Sequence, residues 1–395
     1  MRICIIGSGA TGLLLSILLK QKKNNDEVFV VEKNNKIAKK LYATGNGKCN
    51  LGNSYYSNRK NIFNDDFALN LIKKFDINDQ RAFFLECGFT TKIINELCYP
   101  TSESASSFIN GLVNYAKSLG VNFILETTFL DYQNINNNLK VMTTPKLNND
   151  IFDKLVITTG GKSSPKMGSD GNVFNILLKH QYSISNLYPG LAPIYTNEST
   201  SEVNGLRVKC KATLLKNNQF LYSESGEVLF KDKGLSGICI MNICSLIARD
   251  KVRNGTNSIY KITLDLMEDI SFDELKSIIH FNNKNKKSLL SGIFHDQFSK
   301  YLISYIKDID KLSLEQIYFN LKNLTFTFKD FYDFENSQVT VGGLLLSNIK
   351  ENSLESLHEN NVYIGGEILN VDGLCGGNNL MFCFACSKAI SDNIK

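Results

Sequence analysis

Gly7, Gly9 and Gly12 stand in a G-x-G-x-x-G spacing directly after the apolar run Ile3-Cys-Ile-Ile6. Glu32 follows Gly12 by twenty positions, at the end of a second apolar run, Val28-Phe-Val-Val31. Glycine at these three places has three uses: a tight turn at Gly7, close backbone approach to a pyrophosphate at Gly9, and tight helix-on-strand packing at Gly12. The free amides of Ala10, Thr11 and their neighbours at the start of the following helix then face phosphate oxygens. An acid at the end of the second strand suits a ribose hydroxyl. A lone glycine fingerprint is weak evidence. Strand, helix, strand and terminal acid in register make it a dinucleotide site rather than a glycine-rich turn.

Glu32 favours a free adenosine ribose, as in FAD or NAD, over the 2′-phosphate of NADP. The fingerprint lies within the first ten or so residues, and no second strand-linked copy follows. Gly45-Asn-Gly47 has no apolar strand before it, and Gly160-Gly161 leads into Lys-Ser-Ser-Pro165 rather than a helix. This arrangement predicts one built-in dinucleotide, FAD, with any NAD(P)H visiting as a transient co-substrate. No His or Cys stands in a flavin-attachment motif, so the FAD is expected to be non-covalent.

Two further glycine-rich segments invite ligand contact. Thr44-Gly-Asn-Gly-Lys-Cys-Asn-Leu-Gly-Asn53 packs three glycines and three asparagines into ten residues, a density that lets backbone amides approach a flat ring or a phosphate. Cys49 within it is read as packing rather than as a flavin-facing thiol. Near the C-terminus, Tyr363-Ile-Gly-Gly366-Glu367 ends a strand with an acid suited to a ribityl chain. Gly376-Gly-Asn-Asn379 then starts the last helix, whose N-terminal amides suit the pyrimidine side of an isoalloxazine, where negative charge grows on reduction.

Composition narrows the class. The 395 residues, 43% of them hydrophobic, suffice for a sizeable core and two or three domains. The formal net charge of +5 comes from dispersed lysines, without a dense basic run interleaved with aromatics, so nucleic acid is not the expected partner. A small-molecule substrate is. Leu13–Leu19 is too short to span a bilayer, no secretory leader is read, and a soluble cytoplasmic protein is expected; oligomeric state is left open. Ten cysteines are then reduced thiols rather than a disulfide framework. Cys383-Phe-Ala-Cys386 has redox spacing but sits in an apolar helix-like run, where cysteine packs as a small hydrophobe. His180, His280, His295 and His358 show no metal spacing.

The elements that must position these residues are legible as a split pattern. A helix is expected over Ala10–Gln21, with others over Asp66–Phe75, Asp79–Cys87 and Glu103–Leu119, the last capped by Ser102. Val121–Leu130 and Leu139–Thr144 read as strands of a β-meander around an Asn-rich turn. Ile151–Thr159 reads as the next central strand. From Pro189 the character changes to short alternating β runs, including Leu206–Leu215 and Gln219–Ser223, around a helix at Ile238–Ala248. A charged helical stretch, Ser271–Asn323, follows, and Leu324–Phe328 resumes strand character. The fold expected is α/β: a Rossmann-type dinucleotide domain split between residues 1–190 and 336–395. A β-rich domain inserted at 191–335 carries a helical subdomain at about 268–323.

In ordered combination the motifs resemble a family, the bacterial NAD(P)/FAD-dependent oxidoreductases of BaiN type, also described as aminoacetone-oxidase-like. They are the glycine fingerprint, Thr44-Gly-Asn-Gly-Lys-Cys-Asn50, Tyr99-Pro-Thr-Ser102, Thr159-Gly-Gly-Lys-Ser-Ser-Pro165 with Gly168-Ser-Asp-Gly171, Leu229-Phe-x-x-x-Gly234-Leu-Ser-Gly237, Thr340-Val-Gly-Gly343, and Gly366-Glu-Ile-Leu-x-Val-Asp-Gly373. The resemblance covers essentially the whole chain. It implies FAD in a split Rossmann domain, a β-barrel-like insertion and a helical subdomain. Departures are Ala38-Lys39-Lys40 for a usual Gly-Arg-Lys, Lys48 for Arg, and Asn378 for Tyr. Lysine keeps the charge but loses the guanidinium fork, and Asn378 is expected to alter the flavin face and so the substrate preference.

Together these readings give the cofactor-binding candidates Gly7, Gly9, Ala10, Thr11, Gly12, Glu32, Lys33, Lys40, Thr44, Gly45, Gly47, Cys49, Asn50, Phe129, Thr159, Gly160, Gly161, Gly366, Glu367, Gly376, Gly377, Asn378 and Asn379. No catalytic acid or base is named. The activity expected is NAD(P)H-linked reduction or oxidation of a small organic substrate at flavin N5. The alternatives are an oxygen-using amine or aminoketone oxidase and a non-catalytic flavin-binding redox sensor.

Overall fold

The computed structural model describes residues 1–23, 25–56, 61–255, 257–282 and 290–395, without the side chains of 279–282. The chain divides into two units, Met1–Tyr188 with Gln338–Lys395, and Pro189–Ser337. Each boundary lies two residues from the expected one. His280 falls among the side chains outside this description.

The first unit is built on a five-stranded parallel sheet. Its strands are β1 (Arg2–Ile6), β2 (Glu27–Val31), β3 (Asn122–Ile124), β4 (Lys154–Ile157) and β5 (Val362–Ile364), in the order β5-β4-β1-β2-β3. Ile3, Cys4 and Ile5 of β1 and Leu155, Val156 and Ile157 of β4 are wholly buried, as short continuous apolar runs must be when helices cover both faces. Helix α1 (Ala10–Lys22) buries Leu13, Leu14, Leu15, Ile17 and Leu19 and packs on the C-terminal helix, Asn378–Asn393. Thus both ends of the chain meet in one core.

Three expectations shift, each at a left-handed residue or a divided strand. The helix expected at Glu103–Leu119 is α2 (Ala105–Ser118), capped by Ser104 and not Ser102. Glu103 takes φ +46 and closes a turn on Pro100 through its amide (2.9 Å), so the chain cannot become helical until after it. The single strand expected over Val121–Leu130 breaks at Glu126, φ +52, into β3 and a hairpin strand Thr128–Ile135. At that break the Glu126 amide donates to the Asn34 carbonyl (3.1 Å) and the Thr127 amide to the Glu32 carbonyl (3.0 Å). Ile151–Thr159 divides as well. Ile151–Phe152 joins the antiparallel hairpin of Thr128–Ile135 and Asn138–Thr144, and Lys154–Ile157 joins the central sheet. The intervening Asp153 accepts from the Arg2 amide (2.7 Å).

The second unit is a closed antiparallel barrel. Its six strands, in order around the barrel, are Ile194–Thr196, Gly234–Ser236, Gln219–Lys231, Arg207–Lys216, Tyr260–Asp265 and Leu324–Phe331. Ala212, Leu214, Val228, Phe230, Ile262, Leu264, Leu324 and Phe326 alternate inward and are buried. The helix expected at Ile238–Ala248 runs on to Asn254. Phe272–Asn282, Asp296–Tyr305 and Leu314–Lys322 form helices within the charged stretch. Among the described residues, no helix is long and apolar enough to cross a membrane.

Candidate dinucleotide site

The three fingerprint glycines serve unequal purposes. Gly7 leaves β1 at φ +97, and a Cβ there would lie 2.6 Å from the Thr158 carbonyl oxygen. At Gly12 a Cβ would run into the Gly7 carbonyl and come within 2.8 Å of Thr158 Oγ1. Both are glycine because the strand-to-helix packing leaves no room. Gly9 is otherwise: it is extended, at φ −66 and ψ −163, and caps α1 without a side chain. A Cβ built on it meets nothing within 4 Å. The bare backbone and open volume at the head of a 13-residue helix form a cradle that fits a pyrophosphate.

Beside it lies an open cleft. Ile6, Val31, Phe129, Val173 and Ile176 supply apolar walls, and Gly7, Glu32, Lys33, Thr159, Gly161 and Asp170 supply polar groups. Thr159 Oγ1 is buried there without a hydrogen-bond partner, the mark of a site that offers a donor to a ligand. Apolar walls with a carboxylate and an orphaned hydroxyl fit an adenosine. Gly160, at φ +75, runs against Ser169, and Gly161 runs against Thr340, so both let the chain after β4 turn closely.

Glu32 sits where β2 ends, 9% exposed, and its carboxylate is fully engaged by the protein. Oε2 accepts from the Ser8 amide (3.0 Å) and the Ser8 hydroxyl (2.6 Å). Oε1 accepts from the Asn34 amide N–H (2.9 Å) and from Asn34 Nδ2 (2.7 Å). Lys33 is tied to Asp170 at 2.7 Å.

Where β5 ends, Gly366 takes φ +88 against Thr11 Oγ1, and Glu367 pairs with Lys40 through both oxygens (3.0 and 2.8 Å). The Thr340 amide also donates to Glu367 (3.1 Å). Helix α3 (Asn378–Asn393) begins after Gly376 and Gly377, both left-handed. Asn378, expected to alter the flavin face, turns inward instead. It is 1% exposed, donates to the Leu374 carbonyl (2.9 Å) and accepts from Asn53 (2.8 Å). Asn379 brackets Gly373, accepting from its amide (2.8 Å) and donating to its carbonyl (2.7 Å). Both side chains therefore hold the turn, leaving the helix-terminal amides as the groups presented.

The Thr44–Asn50 loop is wound locally. Thr44 Oγ1 bonds the Leu41 carbonyl (2.7 Å), and Gly45 packs on Asn50. A Cβ at Gly377 would lie 2.7 Å from the backbone of Gly52, so the loop abuts the start of α3. Gly47 faces open space. Lys48 is held by Glu103 at 2.7 Å. Cys49 is 1% exposed at φ +61, and burial pushes its thiol up to about 11. Cys383 is likewise pushed up to about 11 by burial, so neither is a thiolate at neutral pH.

Ser8, Asn34, Asp170, Thr340 and Asn53 join the site without having been candidates. Each neighbours or lies within a quoted motif, yet its role depends on which distant element its side chain meets.

A family model described as the HI0933-like protein Rossmann domain matches residues 1–393. Among curated proteins, the 3-dehydro-bile acid delta(4,6)-reductase of Clostridium scindens is 27% identical, covering 97% of this chain and 96% of that one. The ribosomal RNA dihydrouridine synthases of Haemophilus influenzae and Escherichia coli are 23% and 22% identical, covering 98% and 99% of this chain and 98% and 97% of theirs. The chain belongs to the HI0933-like Rossmann family, and by class it is a flavin-dependent oxidoreductase.

Proposed function

We propose that this protein uses FAD and NAD(P)H to reduce a carbon–carbon double bond conjugated with a carbonyl in a small organic molecule. The observation that carries the reading is a shared chemistry among relatives aligned over nearly their whole length. One is named for reducing Δ4,6 unsaturation in a 3-oxo bile acid. The others are named for making dihydrouridine, in which the pyrimidine double bond beside a carbonyl is saturated. Both are additions of hydride and proton to an electron-poor alkene.

The bound isoalloxazine supplies hydride transfer at N5. The residues of this chain supply binding and orientation. The α1 amides and the space at Gly9 hold the pyrophosphate, and the Phe129–Thr159–Glu32 cleft holds the adenosine. Glu367, fixed by Lys40 and Thr340, suits the ribityl hydroxyls, and the α3 amides suit the pyrimidine edge. A uridine in RNA is the second reading, favoured by the two dihydrouridine synthases.

The test is anaerobic. The purified protein should release FAD on acid treatment, and NADH or NADPH should bleach its visible flavin band. A cyclic enone such as a 3-oxo-Δ4 steroid should then restore the band. Recovery with uridine-containing ribosomal RNA but not with enones selects the second reading. Recovery with oxygen alone selects an oxidase, and failure of every donor to bleach the flavin leaves a sensor.

Cys49→Ser is expected to leave NAD(P)H-driven flavin reduction within about tenfold, roughly 1.4 kcal/mol in barrier, because the buried neutral thiol packs the loop. Stopped-flow bleaching of the flavin checks this. If bleaching persists while transfer to the enone falls by orders of magnitude, the thiol serves the acceptor half-reaction.

A further inference from the structure

We propose that Asn34 is a specificity-determining residue of the dinucleotide site, its side-chain amide competing with the adenosine ribose for Glu32. The inference rests on the FAD reading above. A carboxylate offers about four acceptor positions, and Glu32 has four protein donors on it. A ribose diol must therefore displace one of them.

Two of the four are backbone amides, of Ser8 and Asn34, fixed by the chain. The third, Ser8 Oγ, is held in turn, accepting from the Ala38 amide at 3.2 Å. The fourth, Asn34 Nδ2, is a side chain with a second acceptor already in reach, the Met167 carbonyl at 3.5 Å. It sits against Gly168, where a Cβ would run into it. Turning Nδ2 away from Glu32 frees one position on Oε1 at the cost of one of its two hydrogen bonds, while its other N–H stays on the Met167 carbonyl. Meanwhile Ser8 and the Asn34 amide N–H keep the carboxylate aimed. Lys33, the neighbouring cation, is committed to Asp170 and is not free to meet a 2′-phosphate. The site accordingly reads hydroxyls, with Asn34 setting the threshold a ribose must exceed.

The test is Asn34→Ala in the full-length, deflavinated protein, titrated with FAD by flavin fluorescence. ADP and 2′,3′-dideoxy-ADP are compared by calorimetry. The variant should bind FAD and ADP about three- to tenfold more tightly, the scale of one net hydrogen bond. It should bind the dideoxy analogue as the wild type does. Unchanged or weakened FAD binding, or an equal gain for the dideoxy analogue, overturns the assignment while leaving the FAD reading intact. A wild-type protein that takes up neither FAD nor ADP overturns both.

Discussion

Gly9→Val is expected to yield a folded protein that purifies without flavin and does not regain it on reconstitution. Gly9 is extended, a conformation valine adopts readily, and its Cβ would point into open space rather than into the protein. Folding should lose no more than about 1 kcal/mol, the scale of replacing a tolerated helix cap by an apolar residue. In the proposed site that open space receives the pyrophosphate, so the isopropyl group would stand where phosphate oxygens would approach the α1 amides. Affinity for FAD should fall by at least about a thousandfold, roughly 4 kcal/mol. Gly12→Val is the contrast. Its side chain would be driven into the Gly7 carbonyl and Thr158, so insoluble or unfolded protein is expected. Circular dichroism and flavin stoichiometry on the two variants separate the roles. Full flavin content in folded Gly9→Val would show that phosphate binds elsewhere.

The parts of this architecture that were legible share a physical basis. The β1–α1–β2 unit is marked by continuous apolar runs and by glycines whose lost side chains are steric requirements, so local pattern suffices. The barrel strands show inward alternation, although closure into six strands depends on pairings that no single run encodes. What was not legible turned on conformation or on tertiary partners. Glu103 and Glu126 adopt left-handed backbone that nothing in their type announces, so the cap lies at Ser104 rather than Ser102 and the strand breaks at Glu126. The side chains of Ser8 and Asn34 matter because both reach Glu32 from either side. Asn378 illustrates the same limit in reverse. At the start of α3 it suggested a ligand-facing change, but a buried bond from Asn53 turns it into the turn it helps build. Position in a motif locates a residue near a ligand; the direction of its side chain is set by packing.

Glu359→Ala is expected to be among the most destabilising polar substitutions in the first unit, although it touches none of the candidate cofactor residues. Glu359 accepts from Tyr182 (3.1 Å) and from Tyr132, and pairs with His180 Nδ1 at 3.1 Å. His180 Nε2 meets Asp131 at 2.8 Å, and its ring stacks on Tyr132 at 4.0 Å. The network joins the hairpin strand Thr128–Ile135, the end of the helix Asn172–Lys179 and the segment leading into β5. Tyr132 and Tyr182 are 1% and 2% exposed, and burial holds both phenols well above their ordinary pKa. They remain protonated donors at any working pH and require an acceptor. Removing the carboxylate leaves the buried Tyr132 hydroxyl short of a partner, a cost of about 1–3 kcal/mol, while Tyr182 keeps the Ser356 hydroxyl at 2.7 Å. The expected fall in Tm is about 5 °C for a unit of this size. Glu359→Gln retains an acceptor oxygen at the same reach and should lose less than half as much. Calorimetry of both variants against an exposed control, Glu86→Ala, decides the matter: an alanine variant melting with the control would show that the network carries no stability. Val173 and Ile176 on the helix Asn172–Lys179 wall the cleft proposed for the adenosine. A network that holds the end of this helix should therefore couple to the cofactor. Added FAD should recover part of the lost Tm in Glu359→Ala, since a ligand bound to the folded state stabilises it by mass action.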